Sequence, residues 1–227
     1  MESIKAISFD GDGTLWDFER VMRESLQHVL GELQRVDPEA AAMTSVNRMI
    51  EIRDSVGIEA KGVITDLEAI RLEAFRRTLQ DIGKTDYALA HHLNEIYLKH
   101  RFEDIELFDD VLPVLKILQT RYAIGLLSNG NSYPERVGLS GVFSFVVFSQ
   151  DHGIEKPDPG IFQIALQEAG CSKEQLLHVG DSLSNDIGGA ISSGIMCVWL
   201  NRSNNANSVG ITPDFEANSL WDLLRII

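Results

Sequence analysis

The stretch IKAISFDGDGTL, residues 4–15, decides how the chain folds. Its apolar part, Ile4–Phe9, predicts a short buried strand, and the residues that follow, Asp10–Gly13, predict a turn. Further strands are predicted at 122–127, 145–148, 176–179 and 195–200. Helical patterns separate most of these strands. This alternation indicates an α/β fold, with a parallel sheet covered by helices on both faces.

Residues 17–102 differ, because they contain helical patterns and no convincing strand. Capping residues predict helix starts in this block and after it: Asp37 before Pro38, Thr65 with Glu68, Thr85, Asp158 before Pro159, Ser184 and Asn218. The first strand is separated from the others by this helical block. We therefore expect one α/β domain, residues 1–16 and 105–227, with an α-helical insertion at residues 17–104.

Composition limits the possible partners and the compartment. The chain has 227 residues, with 20 Lys+Arg and 34 Asp+Glu, so its formal charge is −14. This charge argues against binding to a nucleic-acid polymer. No apolar run reaches the ~20 residues that span a bilayer, and no secretory signal is visible. With two cysteines, Cys171 and Cys197, the sequence predicts a cytoplasmic protein with reduced thiols and no membrane partner.

Polar side chains follow the first four predicted strands of the sheet. In open parallel sheets the ligand site lies beyond the carboxyl ends of the strands. The polar residues at those ends are Asp10 and Asp12, Ser128 and Asn129, Lys156, and Asp181 with Asp186. Unrelated loops would rarely agree in this way, so we expect one site that gathers all of them.

A cluster of the four acids Asp10, Asp12, Asp181 and Asp186 needs compensating positive charge. Two carboxylates ~4 Å apart repel by about 4 kcal/mol at an effective dielectric of 20. Oxygen ligands favour a hard cation, and Mg2+ bound by carboxylates, water and a substrate phosphate fits this set. Lys156 would supply a second positive charge.

At this point the sequence resembles the haloacid dehalogenase (HAD) superfamily of aspartate-nucleophile hydrolases. The stretches that carry the resemblance are Phe9–Leu15 (FDGDGTL), Leu127–Gly130 (LSNG), Glu155–Pro159 (EKPDP) and Val179–Ile187 (VGDSLSNDI). The C-terminal half, notably Gly180–Asn201, most resembles the branch that contains pyrimidine nucleotidases and N-acylneuraminate-9-phosphatase. The resemblance to the superfamily implies a Rossmann-like core, with the helical insertion as a cap that closes over the site and contacts the leaving group.

The resemblance also implies roles for single residues. Asp10 would attack phosphorus and form an aspartyl-phosphate, and Asp12 would protonate the leaving oxygen and then activate water. Ser128 and the backbone N–H of Asn129 would hold phosphate oxygens, and Lys156 would pair with Asp10 and the phosphate. Mg2+ would be bound by Asp10, the carbonyl of Asp12 and Asp181, with Asp186 supporting these ligands.

The expected function is a Mg2+-dependent phosphatase for a small phosphorylated metabolite, such as a sugar phosphate, a nucleoside monophosphate or phosphoglycolate. Haloacid dehalogenases lack an acid at the place of Asp12 and do not use Mg2+, so Asp12 favours phosphoryl chemistry. The first alternative is a phosphomutase similar to β-phosphoglucomutase. The second, which the sequence favours less, is a phospho-aspartate regulatory switch. We expect a monomer or a homodimer.

The residues expected to select the substrate lie in the insertion, apart from Trp16 directly before it. The candidates are Trp16, Arg20, Arg23, Arg53, Lys61 and Arg71. The histidines on or near its helices, His28, His91, His92 and His100, have no metal-ligand spacing, and we expect them to be surface or core side chains.

Overall fold

The computed structural model describes residues 4–227, which fall into two compact units. One, here called the α/β unit, comprises the residues up to Asp17 together with Glu106–Ile227. The other, here called the helical unit, is Phe18–Ile105.

The α/β unit is built on a parallel sheet of six strands. In chain order they are β1 (Ala6–Phe9), β2 (Ala123–Ser128), β3 (Phe145–Phe148), β4 (Leu176–Gly180), β5 (Met196–Leu200) and β6 (Phe215–Ala217). Their order across the sheet is β3-β2-β1-β4-β5-β6. The sheet confirms the predicted α/β class, and β6 is a strand that the sequence analysis missed.

The α-helices of this unit lie between strands or, in the last case, after β6. They are α6 (Val111–Leu118), α7 (Ser149–His152), α8 (Pro159–Ala169), α9 (Gly188–Ser192) and α10 (Leu220–Ile226), numbered after the five helices of the helical unit. From the central strand β1 the chain adds β2 and β3 on one side of the sheet. It then crosses back to β4, on the other side of β1, and continues to β5 and β6. Because such crossovers are right-handed, this reversal places α6 on one face of the sheet and α8 and α9 on the other.

The core beneath α8 contains side chains from several strands and helices. Its larger members are Phe145, Ile161, Phe162, Ile187 and Trp199, all buried. Gly125 in β2 leaves room for Phe145, since a Cβ at residue 125 would lie 2.0 Å from that ring. Within residues 4–227, Cys171 and Cys197 form no disulfide, and no helix is both long enough and apolar enough to cross a membrane.

The helical unit contains α1 (Phe18–Val36), α2 (Pro38–Ala41), α3 (Val46–Ala60), α4 (Leu67–Asp81) and α5 (Tyr87–Glu103). Its core is formed by the apolar faces of these helices. Five of the buried side chains are Val29, Leu33, Met49, Phe75 and Leu93. The helix predicted after Asp37 is a single turn, and Ser45 caps the longer α3.

Four predicted caps were wrong by one or two residues. The side chain of Asp66 caps α4 in place of Thr65, and that of Asp86 caps α5 in place of Thr85. In the α/β unit Ser182, not Ser184, caps the turn before α9, and Ser219, not Asn218, caps α10. Two cap-forming side chains lie one or two residues apart at each of these starts, and backbone direction decides which one reaches the open N–H groups.

Candidate active site

Strand register brings the predicted site residues to one edge of the sheet. Phe9, the last residue of β1, lies beside Leu126 of β2 and Val179 of β4. The next N–H, that of Asp10, donates to the carbonyl of Val179 at 2.9 Å. Asp10 therefore leaves the sheet between the ends of its two neighbouring strands.

Lys156 lies at the centre of the acidic residues. Its Nζ is 2.6 Å from Oδ1 of Asp10, 2.6 Å from Oδ1 of Asp186 and 2.8 Å from the carbonyl oxygen of Leu127. The lysine is 2 % exposed, so all three ammonium donors are used inside the protein. Burial disfavours the ammonium, but the charges of Asp10 and Asp186 outweigh it and raise the pKa of Lys156.

Asp186 is held from several sides. Its Oδ2 accepts from the N–H of Ser182 at 2.9 Å, and its Oδ1 lies 3.3 Å from Nε2 of His178. The other ring nitrogen of His178 is 2.8 Å from Oγ of Ser8, its neighbour in register on β1. Burial alone would raise the pKa of Asp186, but the contacts with Lys156 and His178 outweigh burial and lower it.

The buried pair Ser8 and His178 was not identified as part of the site from the sequence. The signal was a histidine inside the apolar strand LLHVG, a pattern that by itself indicates only a packed side chain. His178 does pack, with its ring edge-on to Phe162 at 5.2 Å. It also fixes the carboxylate of Asp186, which in turn contacts Lys156.

Asp181 follows β4 and lies against the first turn. Oγ1 of Thr14 donates to its Oδ1 at 3.3 Å. A Cβ on Gly13 would lie 2.5 Å from its Oδ2, so the backbone at Gly13 passes close to this carboxylate. The surrounding protein and the charge of Asp186 raise the pKa of Asp181 to about 6, although the side chain still reaches solvent.

Asp12 lies in the same turn as Asp10. Its Oδ1 accepts a hydrogen bond of 2.5 Å from the indole Nε1 of the buried Trp16. A Cβ on Gly130 would lie 2.6 Å from its Oδ2, so glycine at 130 leaves space for the carboxylate. The role of Trp16 in orienting Asp12 could not be seen from sequence spacing.

Ser128 and Asn129 follow β2, and their side chains have different environments. Oγ of the buried Ser128 accepts from the N–H of Gly130 at 3.0 Å. Oδ1 of Asn129 accepts from the N–H of Lys156 at 2.8 Å and from Oγ of Ser149 at 2.5 Å. Nδ2 of Asn129 donates to the carbonyl of Lys156 at 2.9 Å. The Asn129 side chain thus fixes the backbone of Lys156, a contact that its predicted backbone role did not include.

The cluster carries more negative charge than Lys156 can balance. One carboxylate oxygen from each of Asp10, Asp181 and Asp186 lies within 4.8 Å of the others. Burial raises the pKa of Asp10 well above its usual range, and the charges of Asp186 and Asp181 add to this against the effect of Lys156. A hard divalent cation would relieve this repulsion, and the oxygen-only donors fit one. Asp10 and Asp181 would hold it, with Asp12 beside them in the turn.

The candidate substrate-selecting residues of the helical unit differ in their partners. Arg20 and Arg23 pair with Glu24 and Glu19, and Arg53 pairs with Asp54. Within residues 4–227, Arg71 makes no ion pair. Its guanidinium lies 5.7 Å from the centre of the Tyr97 ring, and burial lowers its pKa.

The α/β unit therefore presents a carboxylate, Asp10, bound on one oxygen by a buried ammonium and followed two residues later by an acid. Such a group can act as a nucleophile, with the acid moving protons. Comparison with known proteins agrees with this chemistry. A family profile described as hydrolase, haloacid dehalogenase-like hydrolase, matches residues 4–194.

Individual proteins match most of the chain. The 5-amino-6-(5-phospho-D-ribitylamino)uracil phosphatase YigB of Escherichia coli is 28% identical over 88% of this chain and 85% of that protein. The pyrimidine 5'-nucleotidase PynA of Streptococcus pneumoniae is 28% identical over 97% of this chain and 93% of that protein. The latter confirms the expected likeness to pyrimidine nucleotidases.

A solved structure described as a 2-haloacid dehalogenase from Pseudomonas syringae is similar in fold and sequence. Its TM-score is 0.82, with 31% identity, and the match covers 98% of this chain and 97% of that one. Together with the family profile and the site geometry, these matches show that the chain belongs to the haloacid dehalogenase-like hydrolase family.

Proposed function

We propose that this protein is a Mg2+-dependent phosphatase that hydrolyses a small phosphorylated metabolite through an aspartyl-phosphate on Asp10. One observation carries the proposal: Lys156 binds Oδ1 of Asp10 at 2.6 Å in a buried site, with the carboxylate of Asp12 in the same turn. Among the described residues no side chain donates a hydrogen bond to Oδ2 of Asp10, so this oxygen is available to attack.

In the first step Oδ2 of Asp10 forms a bond to phosphorus, and the bond between phosphorus and the ester oxygen breaks. The leaving oxygen takes its proton from Asp12, which Trp16 holds at 2.5 Å. The charge of Lys156 reduces the repulsion between Asp10 and the phosphate, and its hydrogen bond fixes the direction of Asp10, so that the nucleophile is already oriented.

In the second step water attacks phosphorus and the bond from phosphorus to Asp10 breaks. The carboxylate of Asp12 accepts the proton of this water, and inorganic phosphate leaves. Asp10 returns to its starting state, and Asp12 has regained the proton that it gave up in the first step. The net reaction is hydrolysis of a phosphomonoester.

Asp10 and Asp181, with the carbonyl of Asp12, would bind Mg2+. The ion would supply positive charge to the phosphate oxygens and lower the repulsion between the phosphate and the acids. Asp186 would keep Lys156 in place beside it. Burial and, after it, the neighbouring carboxylates raise the pKa values of Asp10 and Asp181, and a bound cation would favour their ionised forms.

The similarity to a protein described as a dehalogenase raises a second candidate, hydrolysis of a carbon–halogen bond. Attack by a carboxylate is common to both reactions. Departure of a halide needs no proton, whereas departure of an alkoxide does. Asp12, held in the turn by Trp16, therefore favours phosphate esters. The curated relatives described above, a phosphatase and a nucleotidase, support the same choice.

The test is phosphate release, with Mg2+ and with EDTA, from p-nitrophenyl phosphate and from a panel of sugar phosphates, nucleoside monophosphates and phosphoglycolate. We expect Mg2+-dependent release that Asp10→Asn abolishes. Asp109→Asn, an exposed acid of the same unit, is the matched control and keeps activity.

Other outcomes would reject the proposal in distinct ways. Halide release from 2-chloropropionate without phosphate release would favour the dehalogenase. Interconversion of sugar-phosphate isomers without free phosphate would favour a phosphomutase. A phosphorylated form that persists and does not turn over would favour a regulatory switch.

A further inference from the structure

A second cluster of possible metal ligands lies in the helical unit. His28 on α1 and His100 near the end of α5 have parallel rings, with centroids 3.6 Å apart and an angle of 4° between the planes. Nδ1 of His100 lies 2.8 Å from Oδ2 of Asp104, the residue that ends the helix. One ligand atom from each of the three residues lies within 4.8 Å of the others.

The fold of the helical unit creates this cluster. α1 and α5 pack along each other through buried residues that include Leu26, Val29, Leu93 and Tyr97. His100 and Asp104 are four residues apart, so both side chains lie on one side of the helix end. His28 approaches from the neighbouring helix, and sequence spacing between residues 28 and 100 could not indicate the contact.

The pair His100 and Asp104 alone has an ordinary explanation, since a histidine near a helix end often pairs with an acid. His28 has no such explanation. Among the described residues its ring makes no hydrogen bond or ion pair, and its contact is the parallel face of another imidazole. The cluster thus brings two imidazole rings and a carboxylate together, with one possible ligand atom from each within 4.8 Å of the others.

The chemistry of these donors differs from that of the acidic site. Imidazole nitrogen with one carboxylate oxygen suits borderline cations such as Zn2+, Co2+ or Ni2+, whereas oxygen-only sets suit Mg2+. Zn–N bonds are about 2.0–2.1 Å long, so ligand atoms on one ion lie within about 4 Å of each other. The nitrogen lone pairs of two stacked rings lie in parallel planes, so binding requires the exposed His28 ring to turn out of the stack towards Nδ1 or Nε2 of His100.

We propose that His28, His100 and Asp104 bind a borderline divalent cation, with water completing its coordination, and that this ion links α1 to the end of α5. The inference does not depend on the proposed phosphatase activity, because these residues lie outside the acidic site. Binding to the folded protein alone would stabilise the helical unit by mass action.

The experiment measures Zn2+ binding by calorimetry and thermal stability, with excess Mg2+ present to occupy the acidic site. We expect Zn2+ to raise the melting temperature of the wild-type protein. We expect His28→Asn and His100→Asn each to weaken Zn2+ binding by about 10-fold or more. His91→Asn is the matched control, because His91 is an exposed histidine on α5 outside the cluster, and it should bind as the wild type does.

His28→Asn removes an exposed ring that makes no hydrogen bond, so the variant should fold even if His100→Asn does not. Equal Zn2+ affinity in wild type, His28→Asn and His91→Asn would overturn the proposal. Zn2+ binding that is lost in Asp181→Asn but kept in His28→Asn would also overturn it, by assigning the ion to the acidic site.

Discussion

Nζ of Lys156 lies 2.6 Å from Oδ1 of Asp186, and both side chains are almost completely buried, at 2 % and 1 % exposure. The same nitrogen binds Asp10. A buried charge without a partner is costly, so this lysine should matter for folding as well as for chemistry.

Replacing the lysine tests its part in stability. In Lys156→Met, Asp10, Asp181 and Asp186 lose their shared cation, and we expect a loss of about 3–5 kcal/mol in the free energy of unfolding. Urea denaturation in EDTA measures it. Lys84→Met is the control, because Lys84 is a half-exposed partner of Asp37 and such pairs contribute about 1 kcal/mol or less. Equal losses in the two variants would contradict the central position of Lys156.

Gly13 tests the close approach of the turn to Asp181. In Gly13→Ala the new Cβ would lie 2.5 Å from Oδ2 of Asp181, and the residue has a φ of +85°. Gly62→Ala is the control, with a φ of +72° and no atom within 4 Å of the new Cβ. We expect both variants to lose about 1 kcal/mol of stability from backbone strain.

We further expect only Gly13→Ala to weaken Mg2+ binding, because only there is a carboxylate displaced. Calorimetric titration with Mg2+ measures the affinity. If Gly62→Ala weakened Mg2+ binding as much, or if Gly13→Ala left it unchanged, Asp181 would not be a ligand.

Asp12 tests the proton transfers. Asp12→Asn keeps the hydrogen-bond acceptor for Trp16 but cannot supply or take the proton. We expect turnover of alkyl phosphates to fall by about 100-fold or more. With p-nitrophenyl phosphate, whose leaving group needs no proton, the first step should be less affected. Equal turnover by the variant and the wild type towards alkyl phosphates would show that another group moves the proton.

The stability of the helical unit should depend on pH through Glu32 in α1. Hydrogen bonds from Arg35 and His92 lower the pKa of Glu32 to about 2, from an ordinary value of 4.5. The pKa of Glu32 is lower in the folded protein than in the unfolded chain. The stabilisation by its two hydrogen bonds is therefore complete above pH ~4.5 and is lost as the pH falls towards 2. Melting temperatures of wild type and Glu32→Gln should therefore differ at neutral pH and converge in that window. A difference that stays constant down to pH ~2 would contradict the shift.

The sheet and the residues at its edge could be predicted because both depend on short-range patterns. Apolar runs such as Phe145–Phe148 were bounded by turn residues, and parallel strands end at one edge whatever the loops between them do. The short strand Phe215–Ala217 carries a charged Glu216 and follows a polar loop, so its pattern was too weak to identify.

Contacts between distant residues were harder to predict. Asn129 binds the backbone of Lys156, and His178 contacts Asp186, through side-chain directions that spacing does not encode. The stacking of His28 on His100 depends in the same way on how α1 packs against α5. Sequence patterns locate an element and its exposed end, whereas these contacts require the packed structure.

The most direct test of the account is to trap the phosphorylated enzyme. Asp12→Asn protein is mixed with an aryl phosphate that carries a radiolabelled phosphoryl group, quenched with acid and digested, and the labelled peptide is identified. We predict a hydroxylamine-labile label on the peptide that contains Asp10, and no label in Asp10→Asn. Label on another residue, or undiminished phosphate release by Asp10→Asn, would contradict it.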